Sequence, residues 1–217
     1  MTDFLTKRQS VLFGEIEKGG SFADVGCDHG YIAEAVLYSK LCDKVIISDV
    51  SEKCLKKADD RLKLRYSGQY EAIVSDGFDS LPRVDQAVVA GMGGRLIASF
   101  LTRRTFTPKR LVLQPMKHSE ELRRRLIESG YGIVRDYTIE DGGKFYDVIV
   151  AEKGVTTEAY TADELAFGRD NLKEKSDDFK KLIESKIKVF EEAAANAKDG
   201  DKATLTARLE KYKEIII

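Results

Sequence analysis

The sequence predicts a doubly wound α/β domain followed by a helical appendage, and three observations carry that prediction. The stretch Phe22-Ala23-Asp24-Val25-Gly26-Cys27-Asp28-His29-Gly30-Tyr31 reads as a short buried strand that breaks into a glycine turn and opens a helix. An apolar run ending in an acid, Val45-Ile46-Ile47-Ser48-Asp49, follows about twenty residues later, as the second strand of a βαβ unit does. Further short apolar runs then alternate with helical patterns until helical periodicity alone remains.

Each element has its own signal. Leu5, Val11, Leu12 and Ile16 set a first helix over 5–18, which Gly19-Gly20 stops. Residues 22–25 form the first strand, and 31–38 the helix leaving the turn, with Ile32, Ala35 and Val36 on its apolar face. Residues 45–48 are the second strand. Ser51 caps a helix that turns Leu55, Ala58 and Leu62 inward and Lys56, Lys57, Arg61, Lys63 and Arg65 outward. Strands over 70–74, 86–89 and 110–113 end in Ser75-Asp76-Gly77-Phe78, Ala90-Gly91-Met92-Gly93-Gly94 and Gln114-Pro115. The last two lead into helices with Leu96, Ile97 and Phe100, then Leu122, Leu126 and Ile127. Extended runs over 131–139 and 144–153, joined by Glu140-Asp141-Gly142-Gly143, read as a hairpin.

Five strand-then-helix units imply parallel strands, and the hairpin adds one antiparallel strand near the end of the sheet. That is the sheet of class I methyltransferases (Rossmann-like). Beyond it, Thr161-Ala162-Asp163-Glu164 is a capping box. Leu165, Leu172, Phe179, Leu182, Ile183, Ile187 and Phe190 recur at helical spacing, Asp199-Gly200-Asp201 breaks the pattern, and Leu205, Leu209, Tyr212 and Ile216 resume it. The expected division is a methyltransferase domain over 1–155 and a coiled-coil-like antiparallel helical hairpin over 156–217.

Composition narrows the class further. The chain has 217 residues, 42% hydrophobic and 34% charged, with a net charge of -1, so any nucleic-acid surface must be local. Cys27, Cys42 and Cys54 show no C-x-x-C spacing and only two histidines are present, which argues against a disulfide frame or a metal cluster and for a reducing compartment. No apolar run suits a membrane span and no signal-peptide pattern opens the chain. A cytoplasmic protein, free of metal and membrane, is expected, as a monomer or weak homodimer.

The first turn discriminates between cofactors. A dinucleotide fingerprint would carry a glycine between Gly26 and Gly30 where its backbone meets a pyrophosphate; this chain has Asp28. A carboxylate there repels phosphate and suits S-adenosyl-L-methionine, which carries a sulfonium and an ammonium. Asp49, with Val50 beside it, fits the ribose diol, and Asp76-Gly77 the adenine edge. A tight strand–helix turn without a ligand is the plainer reading of the same residues.

The motifs from Ala23 to Tyr31, Ala90-Gly91-Met92-Gly93-Gly94, and Leu113-Gln114-Pro115 before an arginine-rich helix resemble the bacterial tRNA (adenine-N1)-methyltransferases of the TrmK family. The resemblance runs through the hairpin, and the helical tail fits it too. The family often has Ser and Ala where this chain has Cys27 and Gly30, small changes that leave the cofactor turn intact. The resemblance implies methylation of the adenine at position 22, in the D-arm region of tRNA.

On that reading, Asp24, Gly26, Asp28, His29, Gly30, Tyr31, Asp49, Val50, Asp76, Gly77, Ala90 and Gly91 hold the cofactor. Asp28 is the first catalytic candidate, accepting a hydrogen bond from the exocyclic amine while N1 faces the methyl; its alternative is an N-cap. His29 stands beside it for substrate or cofactor carboxylate, or as a plain helix-start residue. Met92, Gly93, Gly94, Gln114 and Pro115 frame the base, with core filler or flexible turn as the alternatives. Arg95, Arg123 and Arg124, within a wider basic set of Arg103, Arg104, Lys109, Arg110, Lys117 and Arg125, contact RNA phosphate, or else make a solvated helix face. A methyltransferase for another RNA site or a small molecule, an NAD-dependent oxidoreductase and a non-catalytic RNA-binding module are the competing classes.

Overall fold

The computed structural model describes the backbone of residues 4–103, 106–197 and 199–216, and the side chains of all of these except 199–201. Its strands are β1 (Ser21–Val25), β2 (Lys44–Asp49), β3 (Tyr70–Val74), β4 (Gln86–Met92), β5 (Arg110–Pro115), β6 (Tyr131–Asp141) and β7 (Lys144–Lys153). They form one sheet in the order β3-β2-β1-β4-β5-β7-β6. β1 to β5 run parallel, and β7 lies antiparallel between β5 and β6. The mixed sheet expected from the hairpin is therefore present.

Side-chain alternation gives this sheet two apolar faces. Ala23, Val25, Ile46, Val89, Leu111 and Leu113 face α4 (Gly94–Arg103) and α5 (Ser119–Glu128). Phe22, Val45, Ile47, Val88 and Val112 face α1 (Lys7–Gly14), α2 (Tyr31–Ser39) and α3 (Glu52–Tyr66). Strands covered on both faces read as continuous apolar runs, which is how β2 and β5 appear in the sequence.

Two expectations for the part of the chain before the hairpin needed correction. α1 ends at Gly14, not at 18, because neighbouring side chains claim the next backbone groups: Arg110 donates to the Glu15 carbonyl and Gln86 to that of Glu17. Strand–helix units number four, since no helix is described between β3 and β4. There Phe78, Leu81 and Val84 are buried in the core from a loop, with the Phe78 ring 6.0 Å from Phe100, so an apolar loop fills the helix's place. Ser75 Oγ fastens that loop, donating to the Gly77 carbonyl and accepting from Ser80 N–H at 3.0 Å each.

Beyond β7 the chain forms α6 (Ala162–Phe167), α7 (Arg169–Glu174), α8 (Asp177–Asn196) and α9 (Asp199–Ile216). The Thr161–Glu164 capping box is present. The periodic run expected as one helix is broken at Gly168 and Lys175 because the chain follows the edge of the sheet. β6 is that edge, and its outward N–H groups at Asp136, Thr138 and Glu140 donate to Asp170 (2.8 Å), Asn171 (2.8 Å) and Asp178 (2.9 Å). Helical side chains thus satisfy donors that an open edge would offer to another strand. The break expected at 199–201 comes earlier: Ala197 is extended and α9 begins at Asp199. Tyr212 of α9 touches both Phe190 (5.2 Å between ring centroids) and Phe167 (5.6 Å).

A buried ion pair ties these helices to the sheet. Arg123 of α5 is fully buried and donates to Asp136 of β6 at 2.9–3.0 Å and to the Leu165 carbonyl at 3.0 Å. Tyr160 O–H donates to the same carboxylate at 3.2 Å. Burial, opposed by Arg123, lifts Asp136 to about 6. Removing one partner leaves a buried charge uncompensated, so Arg123→Ala should cost about 3–5 kcal/mol in denaturant unfolding. The adjacent Arg124, in an exposed pair with Glu120, should cost under about 0.5 kcal/mol when changed to Ala.

Candidate active site

The carboxyl ends of β1, β2 and β4 converge, and the turn after β1 is the tightest point. Gly26 N–H and Cys27 N–H both donate to the Ser48 carbonyl, at 2.8 and 3.0 Å. Gly26 has φ +73° and no side chain, and the Met92 methyl of β4 lies where its Cβ would be. Asp28, a non-glycine residue, is held at φ +44°. A cavity of about 350 Å³ opens over this turn.

Nine predicted residues line the cavity: Asp24, Gly26, Asp28, His29, Tyr31, Asp49, Ala90, Gly91 and Met92. Asp24 is 5% exposed and accepts the Ala33 N–H at 3.2 Å. Burial lifts its pKa from 3.8 to about 7; the Ala33 hydrogen bond opposes the rise and the Asp49 charge adds to it. Asp49 accepts from Ser51 N–H at 2.9 Å and from Asp28 N–H at 3.4 Å. The Asp28 carboxylate stands at the mouth, 3.6 Å from both Lys57 Nζ and His29 Nε2. It caps nothing: Gly30, in the left-handed conformation, occupies the N-cap of α2. Arg61 lies 4.2 Å over the Tyr31 ring.

The other predicted residues do not line this cavity. Gly30 lets α2 approach α3, since a Cβ there would sit 3.0 Å from that of Ala58. Val50 is exposed and outside the cavity. Asp76 and Gly77 also lie outside it: Arg103 pairs with Asp76 at 2.5 Å, holding its carboxyl below the usual range, and Gly77 abuts Phe100. Gly93 leads into α4, and Gly94 packs against the backbone at Lys117 and His118. Gln114 and Pro115 are buried beneath the cavity and do not rim it. Arg123 is the structural clamp described above and cannot reach RNA.

The basic clusters are also largely neutralised by carboxylates that sequence separation hides. Arg95 pairs with Glu121 (2.6 Å), Arg124 with Glu120 (2.8 Å), Arg125 with Glu128 (2.9 Å) and Arg110 with Glu17 (3.2 Å). Arg104 lies outside the described residues. Lys117 has no carboxylate partner among the described residues.

The cavity has a wall that the sequence did not reveal. Arg8, Gln9 and Leu12 of α1 line it, with Cys27 and Ile32. Arg8 Nη1 donates to Gln114 Oε1 at 3.3 Å, and its guanidinium lies 4.8 Å from the centre of the Tyr146 ring. Gln114 Oε1 also accepts the Gly91 N–H at 3.2 Å, so one buried amide joins α1 to the end of β4. Arg8 belongs to a helix whose apolar spacing announces only core packing, and its partners are more than a hundred residues away. Among the described residues, no cluster of His, Cys, Asp and Glu could hold a metal ion.

A family model for tRNA (adenine(22)-N(1))-methyltransferase, TrmK, matches residues 22–216. The chain belongs to this family. A tRNA (adenine(22)-N(1))-methyltransferase of Bacillus subtilis is 29% identical over 170 residues, 76% of this chain and 71% of its own. The crystal structure of the B. subtilis tRNA methyltransferase TrmK matches with a TM-score of 0.83 at 25% identity, over 98% of this chain and 99% of that one. A Streptococcus pneumoniae protein crystallised with S-adenosyl-L-methionine matches with a TM-score of 0.88 at 25% identity, over 98% and 100%. The Rossmann-like methyltransferase fold read from the strand pattern is the one the TrmK family shares.

Asp24 makes this site costly to fold. Its pKa is about 7 in the folded chain and 3.8 as a free group, so the folded state binds the proton more tightly in that window. Stability from this group therefore falls as pH rises from about 4 to 7. Asp24→Asn keeps an acceptor for Ala33 and removes the buried charge. It should raise the melting temperature of the ligand-free protein at pH 8 and flatten its stability profile across that window, as differential scanning fluorimetry at a series of pH values would read.

Proposed function

We propose that the chain methylates N1 of adenine 22 in tRNA with a methyl group from S-adenosyl-L-methionine, using the cavity above the β1 turn. The carrying observation is that cavity's charge. Asp24, Asp28 and Asp49 line it at the β1–β2 side, where a phosphate-bearing cofactor would be repelled and a cationic one attracted. The residues therefore fit S-adenosyl-L-methionine. Asp49 stands for the ribose diol, Asp24 and the turn at Gly26 for the amino-acid head, and Ala90-Gly91 for the close backbone approach. When bound, the cofactor supplies an electrophilic methyl on sulfur.

The chain's own part is positioning. N1 lies on the Watson–Crick edge, so the adenine must leave its stack to enter. Asp28, at the mouth, accepts from the exocyclic amine and turns N1 inward. The same carboxylate then compensates the positive charge that the ring gains. Methyl transfer is an in-line displacement, so this alignment carries much of the rate. Met92, against Gly26, borders the base on its apolar side. His29 supports Asp28 at 3.6 Å.

Residues 1–155 form the catalytic domain on this reading, and 156–217 a helical hairpin in which α9 returns along α8 to read tRNA shape. The exposed Arg95–Glu121 and Arg124–Glu120 pairs exchange their carboxylates for phosphate, at little cost in water. The chain works in the cytoplasm as a monomer or weak homodimer. Its substrate and its three free cysteines support that location.

Nucleoside mass spectrometry of tRNA treated with the protein and labelled cofactor should find the label in 1-methyladenosine, mapped to position 22. Label at another atom or no label would overturn the reading. Asp28→Ala should lower kcat about ten- to a hundred-fold while cofactor affinity stays within a few-fold. An equal loss in both would make Asp28 a cofactor ligand only. Because the cationic head needs ionised Asp24, calorimetric cofactor affinity should fall by up to about tenfold per pH unit below about 7.

A further inference from the structure

Arg8 is a half-buried cation lining a cavity that otherwise holds three carboxylates, and among the described residues it has no carboxylate partner. Its neighbours hold it in place without neutralising it. Gln114 accepts from Nη1 at 3.3 Å, the guanidinium carbon lies 4.8 Å over the centre of the Tyr146 ring, and Asp141 accepts the Arg8 backbone N–H at 3.0 Å. α1 itself is fixed by the Thr6–Gln9 capping box and by Lys7–Asp178 at 3.1 Å. A guanidinium with spare donors, aimed by a buried amide and lying over a ring, is preorganised for an anion.

The sheet order says which anion. Asp49, the ribose-side acid, ends β2, whereas Arg8 is fastened to β5 and β7. β2 and β5 are three strand positions apart, about 14 Å at the usual spacing. Gly91 and Met92, at the end of β4, lie between them. On the proposed reading the cofactor spans β2 to the end of β4, so Arg8, fastened beyond β4 to β5 and β7, stands on the side where the target nucleotide enters. A cation beside N1 would oppose the charge that the ring gains, so Arg8 suits the nucleotide's backbone and not its base. We propose that the Arg8 guanidinium binds the phosphate of the target adenosine and, through Gln114 and the Gly91 N–H, couples RNA entry to the β4 turn.

This inference rests on the tRNA methyltransferase reading, and the experiment separates the two. Full-length wild type, Arg8→Ala and Arg8→Lys would be compared for KM and kcat on transcribed tRNA, salt dependence of tRNA binding, calorimetric Kd for S-adenosyl-L-methionine, and melting temperature. Arg8→Ala should weaken tRNA recognition about ten- to a hundred-fold and reduce the salt slope by about one, with cofactor Kd within about twofold. Arg8→Lys should restore the slope and part of the KM, since it keeps the charge and loses the fork. A raised cofactor Kd with unchanged tRNA KM would overturn the inference and assign Arg8 to the cofactor carboxylate. A shared fall in melting temperature and in every affinity for both variants would reduce it to a structural role. If wild type methylates tRNA and Arg8→Ala does so equally, the inference alone fails; if wild type does not methylate tRNA, the underlying reading fails.

Discussion

Asp24 lies one residue before the end of β1, an interior strand of a sheet covered on both faces, and is 5% exposed. A buried acid with one backbone donor, Ala33 N–H, is not a stabilising arrangement. Burial holds it near neutrality, and the nearby Asp49 raises the cost of its charge. The surrounding structure tolerates this because β1 is hydrogen-bonded to β2 and β4 along its length and packed by Phe22, Ala23 and Val25. Once β1 is fixed, Gly26 turns left-handed, Ser48 receives two N–H groups, and α2 starts at Tyr31 with Gly30 as its N-cap. The acid then faces the cavity with an unmet preference for a cation. Stability is given up in the ligand-free chain at the point where a cationic ligand would restore it.

A second dependence runs along the opposite edge. Strand β6 would offer a row of free N–H groups if the chain stopped after the hairpin. Asp170, Asn171 and Asp178 take three of them, and Arg123 inserts between Asp136 and the Leu165 carbonyl. The helices after residue 156 therefore complete the sheet whatever else they do. A truncation before α6 would uncover this edge and take the Leu165 carbonyl from Arg123, so it cannot separate RNA reading from folding. Point changes on the exposed faces of α8 and α9 can.

The strands and the hairpin were legible because apolar runs, a Gly-Gly turn and a strand-ending acid are local signals. The β3–β4 helix was not there to find: Phe78, Leu81 and Val84 have the apolar content of a helix without its length. Five of the site's fourteen lining residues were missed, and all are apolar, uncharged or, like Arg8, carried by a helix with no motif of its own. Arg123 shows the reverse case. An arginine in a basic run looks exposed until a partner in another element, Asp136, is brought to it and the pair is buried. Periodicity reports which side of an element is buried; it does not report what a charged side chain meets there.

Charge pairing also reshapes the question of how RNA is held. Carboxylates cover most of the arginines around α4 and α5, so the patch implied by counting basic residues is far weaker in the fold. Exposed pairs of this kind contribute little in water and yield readily to phosphate, which favours broad, salt-sensitive contact over a fixed grip. Arg8 differs in kind. Among the described residues it has no carboxylate to displace, its direction is set by Gln114 and Tyr146, and Gln114 also holds Gly91. A site that must recognise one unstacked nucleotide needs one oriented charge more than many mobile ones. The acids at the ends of β1 and β2 and the arginine on α1 line one cavity, with Gly91 and Met92, and carry opposite charge, the acids suited to a cationic donor and the arginine to an anionic backbone.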